Sequence, residues 1–121
     1  MKISSIRLGV LFVLAVALTT AGAVAEDWPQ FRGPDRNGVS SETHLVESWG
    51  ADGPPELWRA PIGAGYSAIS VVGDRLFTMD SDDAREYLIA LDRDTGEETW
   101  RVEVGELFEN DFGNGPRSTP T

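Results

Sequence analysis

The sequence contains no cysteine, one histidine and, beyond Lys2, no lysine. Without cysteine there is no lipobox residue to acylate, no disulfide and no thiolate to hold a metal, although an oxidising compartment would tolerate a disulfide. A lipid anchor is excluded. His44 has no cysteine or second histidine with which to share a metal, so it reads as a solvated side chain. No Gly-x-Ser-x-Gly, Walker or His-Glu-x-x-His pattern occurs, and nucleophilic and zinc chemistry lack support.

Long apolar runs are almost as scarce. The one clear run, Leu8 to Leu18, follows the basic residues Lys2 and Arg7 and precedes Ala23-Val24-Ala25. Basic, apolar and small-x-small parts in that order make residues 1–25 a cleavable export signal. The run is shorter than the roughly 20 residues that a permanent membrane helix needs. The reading is therefore an exported protein, periplasmic or secreted, with no membrane span once the signal is gone.

Positive charge is the next shortage. Lysine and arginine total 10 against 20 acidic residues; removal of Lys2 and Arg7 leaves 8 arginines and a net charge of −12. Phosphate backbones and anionic membrane faces are held by clustered Lys and Arg, so nucleic acid is excluded as a partner. A solvated acidic surface is the plain reading.

What the chain does have is a repeat. Glu56-Leu-Trp58-Arg59 with Gly63 returns as Glu98-Thr-Trp100-Arg101 with Gly105, a period of 42 residues between the two tryptophans. A period of about 40–45 residues is that of a four-stranded propeller blade. Between the copies, hydrophobic patterning predicts strands over 67–72, 75–79, 87–92 and 99–104, with 57–62 as the first copy of the Trp-Arg strand. Gly73-Asp74 signals a two-residue hairpin, 81–86 a polar loop, and Asp92-Arg-Asp-Thr-Gly96 a tight turn. Tyr87 to Leu91 is apolar on both faces, as a strand sandwiched between layers requires. Arg117-Ser-Thr-Pro-Thr121 matches Tyr66-Ser-Ala-Ile-Ser70 at the start of a second unit, the two serines lying 51 residues apart.

Ala90, Asp92, Thr95, Gly96 and Trp100 fill every fixed position of Ala-x-Asp-x-x-Thr-Gly-x-x-x-Trp. That pattern resembles the tryptophan-docking repeat of the pyrroloquinoline-quinone-like β-propeller family. Trp28-Pro-Gln-Phe31-Arg-Gly-Pro34 resembles the mature N-terminus of exported members. The resemblance implies an all-β fold, a β-propeller of four-stranded blades, eight in the full-length protein. This chain is then expected to be an N-terminal fragment with one complete blade. Residues 26–55 form an N-terminal loop segment, and 56–121 supply a closing strand, the first blade and the beginning of a second. Trp58 and Trp100 are implied to pack between blades as structural residues.

The function implied is that of a binding or assembly scaffold in the cell envelope, akin to the propeller of outer-membrane protein assembly, with protein as its partner. The alternative is the front end of a quinone- and calcium-dependent alcohol or sugar dehydrogenase, and PQQ and calcium enter only there. Family enzymes hold the quinone with a vicinal cysteine pair, which this sequence lacks. Asp92 and Asp94 with Gly96, and Asp80, Asp82 and Asp83, invite a calcium-loop reading, but glycine falls at the fifth place where an EF-hand needs it at the sixth. No catalytic, cofactor-binding or metal-ligating residue is assigned.

Overall fold

The computed structural model describes residues 25–43 and 45–121; the expected export signal, up to residue 24, and His44 lie outside the described residues. The chain is all-β, with no helix among the described residues. Four strands, β1 (Ser70–Val72), β2 (Arg75–Ser81), β3 (Arg85–Asp92) and β4 (Glu98–Glu106), form one antiparallel sheet in the order β1-β2-β3-β4.

The sequence explains why this meander forms. Gly73, at φ 58°, closes a two-residue hairpin in which Val72 pairs with Arg75. The polar stretch 81–86 contributes to the ladder more than its composition suggests, because Ser81 pairs with Glu86 and only Asp82 to Ala84 remain as a turn. Asp82 makes this possible: its Oδ1 accepts from the Ala84 and Arg85 amides, each at 2.8 Å. A carboxylate that satisfies its own turn lets β-pairing begin at once.

The segment 57–62 lies in no ladder among the described residues, contrary to the strand its repeat copy predicts. The copy at β4 has β3 beside it; 57–62 has no such neighbour, and a strand exists only through its partner's hydrogen bonds. The chain joins the sheet just beyond, where Ala64 and Ser81 exchange backbone hydrogen bonds of 3.2 and 2.8 Å.

Alternation along the strands sorts the sheet into two faces. One carries Thr78, Asp80, Ile89 and Arg101, the other Ser70, Phe77, Leu88, Ala90 and Trp100. Ile89 and Ala90, neighbours on opposite faces of β3, are both fully buried, as the two-sided apolar pattern of that strand requires. Toward the other edge, the start of the expected second unit lies beside the start of the first: Tyr66 N donates to Pro116 O at 2.8 Å, Ala68 N to Thr119 Oγ1 at 3.2 Å, and Ser70 Oγ to Pro120 O.

Candidate functional site

The turn joining β3 to β4 is built by one side chain. Asp92 Oδ1 accepts from the Asp94 amide (3.0 Å), the Thr95 amide (2.9 Å) and the Thr95 hydroxyl (3.0 Å). The Thr95 amide and then its hydroxyl hold the Asp92 carboxyl below the usual aspartate range. Gly96 N donates to Asp92 O at 2.8 Å, and Gly96 sits at φ 73°, in the left-handed region that glycine enters without steric cost.

That glycine is also a seat. A Cβ on Gly96 would lie under 3 Å from the six-membered ring of Trp58, so the indole lies flat against bare backbone. Trp58 Nε1 donates to Arg93 O in the same turn at 3.0 Å. Thus Asp92 and Thr95 shape the turn on which Trp58 meets Gly96. The N-terminal loop repeats the device: a Cβ on Gly33, at φ 79°, would lie within 3 Å of the Trp28 ring, while the Trp28 backbone exchanges two 2.8 Å hydrogen bonds with Val71.

Trp100 is not seated in this way. It pairs with the buried Ala90 across the ladder and tilts against Phe77, ring centroids 6.0 Å apart, yet 41% of it is exposed. Its indole N–H has no hydrogen-bond partner among the described residues. Together with Pro29, Ser70, Val72, Phe77, Leu88, Pro120 and Thr121 it lines an apolar cavity of about 260 Å³.

Sequence reasoning missed one polar cluster. Asp80, counted among loop carboxylates, lies in β2 and is 2% exposed. Arg101 grips it with two hydrogen bonds, Nη1 to Oδ1 at 2.9 Å and Nη2 to Oδ2 at 3.2 Å, and Gly63 N donates to Oδ2 at 2.8 Å. Arg101 also binds Glu98, stacks 4.9 Å from the Tyr87 ring centre, and is held charged by these partners, Glu98 foremost. The available signal was the repeated Glu-x-x-Arg, since Arg59 and Glu56 pair in the same way.

The carboxylates that raised the calcium reading do not converge. Asp92 serves its turn, Asp80 serves Arg101, and Asp82 directs its second oxygen to Tyr87 Oη at 2.8 Å. The Ala84 amide, then the Tyr87 hydroxyl and the Arg85 amide, lower the Asp82 carboxyl, and the same contact raises the Tyr87 phenol. Among the described residues no three acidic or histidine side chains form a metal cradle. These residues do not fit calcium.

The loop 107–116 forms a second feature. Tyr66 Oη donates to Phe112 O at 2.9 Å, and Arg117 donates to Gly113 O at 2.7 Å while lying 4.6 Å from the Tyr66 ring centre and 5.5 Å from that of Phe108. Phe112 is 87% exposed, and Phe31 and Tyr66 are more than half exposed. An ordered loop holding aromatics in solvent has the composition of a contact surface. Comparison with family models, characterised proteins and solved structures gives no match.

Proposed function

We propose that the protein is an exported β-propeller of the pyrroloquinoline-quinone-like repeat type and acts as a binding or assembly scaffold in the cell envelope. The observation that carries this reading is the seating of Trp58 on Gly96. The tryptophan of one repeat copy is locked to the turn of the next by a flat contact and one hydrogen bond, the linkage a ring of stacked blades needs. The aromatic loop around Phe112 and Tyr66 supplies the binding face.

A photo-activated cross-linking residue placed at Phe112 in the exported protein tests this, with the same residue at Asp52 as control. A discrete protein adduct at position 112 and none at 52 is the expected result. Stoichiometric binding of quinone with calcium, and no adduct, would overturn the scaffold and favour the dehydrogenase.

A further inference from the structure

Glu26 is the first residue after the small-x-small site of the export signal, and both its backbone nitrogen and its side chain are already engaged. Its backbone N lies 2.8 Å from Glu42 Oε1. Its carboxylate accepts from the Ser41 amide at 3.0 Å, the Ser41 hydroxyl at 2.9 Å and the Ser40 hydroxyl at 3.3 Å. Ser40 Oγ in turn accepts from the Glu42 amide at 3.1 Å. The loop 26–42 is therefore closed at its two ends, and it encloses Trp28 on its Gly33 seat. Its neighbour Asp27 directs Oδ1 to Gly73 N at 2.8 Å, in the hairpin of β1 and β2.

The Glu42 carboxylate already lies at hydrogen-bond distance from the one backbone nitrogen that cleavage after Ala25 would charge. We propose that cleavage after Ala25 completes a charged clasp, in which the new α-ammonium of Glu26 pairs with the Glu42 carboxylate and locks the N-terminal loop 26–42 closed at its two ends. This rests on the exported reading above. Hydrolysis of the Ala25–Glu26 bond consumes one water: its oxygen goes to the Ala25 carbonyl carbon, which leaves as a carboxylate, and the Glu26 nitrogen becomes an ammonium. A hydrogen bond of 2.8 Å to a neutral donor then becomes an ion pair, stronger at the same separation. The carboxylates facing the new ammonium are Glu42 and, on the same residue, that of Glu26, which is turned to Ser40 and Ser41. The Ser41 amide, then its hydroxyl, hold the Glu26 carboxyl below the usual range, so it stays ionised at neutral pH.

The composition provides a direct test. Residues 26–121 contain no lysine, so the Glu26 α-amine is the only primary amine in that stretch. The exported protein is recovered, treated with an amine-acylating ester at pH 7.5, and digested at arginine; mass spectrometry then reads the peptide that ends at Arg32. Only the free amine reacts, and an exposed ion pair withdraws part of it. The wild type should acylate about two- to fivefold more slowly than Glu42→Gln, the range of an exposed pair. Glu109→Gln, which removes an acidic charge elsewhere, should react like the wild type. Equal rates in wild type and Glu42→Gln, with Glu26 first in both, would overturn the clasp and leave export standing. A recovered chain still beginning at Met1 would overturn both.

Discussion

Gly96 and Trp58 are one contact seen from two sides, and their energies should therefore fail to add. Alanine at 96 would strain a φ of 73° and push its methyl into the indole. Alanine at 58 removes the ring and leaves Arg93 O without its donor. In the intact protein each change should lower stability, by about 1–3 kcal/mol for Gly96→Ala. The double variant should cost less than the sum by about 0.5–3 kcal/mol, as for residues in direct contact. Strict additivity in thermal or denaturant unfolding would separate the two residues. The same turn predicts an acid response. Asp92 titrates below its unfolded value of about 3.9, so its contribution is present above that pH and is lost as pH falls through the lowered folded value. Asp92→Asn keeps an acceptor oxygen and cannot titrate. Between pH 5 and 3 the wild-type melting temperature should fall more steeply than the variant's; parallel curves would remove Asp92 from the acid response.

At the scale of strands, the hairpins and their order were legible in alternation and turn chemistry, because both act within a few residues. The strand ends were less so: β2 and β3 run into the polar stretch around Asp82, since a turn that caps itself frees its flanks for pairing. Asp80 was illegible for a different reason. Nothing local distinguishes a carboxylate in a loop from one gripped across β3 by Arg101, 21 residues away. That pair makes a directional prediction. Asp80→Asn still offers an oxygen to Gly63 N and leaves Arg101, its side chain about one-third exposed, to water and Glu98. Arg101→Met strands a charged Asp80 that is 2% exposed, with one backbone donor remaining. Breaking a buried pair costs about 3–5 kcal/mol when it leaves a charge uncompensated. Arg101→Met should approach that figure and Asp80→Asn should fall clearly below it. Denaturant unfolding of the two variants checks the order, and the reverse order would place the dominant charge on the arginine.

For the molecule as a whole, the two faces of the sheet are in different conditions. The face of Asp80 and Ile89 receives Gly63, and the turn at its end receives Trp58. On the other face Val72, Trp100 and Val102 are each more than 40% exposed, and Val72 and Trp100 line an apolar cavity. A repeat unit buries such a face against the following unit, and Trp100 stands in the sequence where Trp58 does. Residues 26–121 alone should therefore expose dye-binding surface and lack a sharp two-state transition. Trp100 gives the finer test, because its energetic effect depends on whether a further unit covers it. In this structure Trp100 is 41% exposed and its indole N–H has no hydrogen-bond partner among the described residues. In residues 26–121 alone, Trp100→Ala should lower dye binding and leave residual structure little changed. In the β-propeller proposed above, where a turn like that of Asp92 to Gly96 would receive the ring, the same substitution should cost about 3–5 kcal/mol, the range for deleting a buried large aromatic. Binding should then fall only in step with the folded fraction. A variant that keeps its wild-type melting temperature while losing quinone binding would instead make Trp100 a ligand platform, and the dehydrogenase would replace the scaffold.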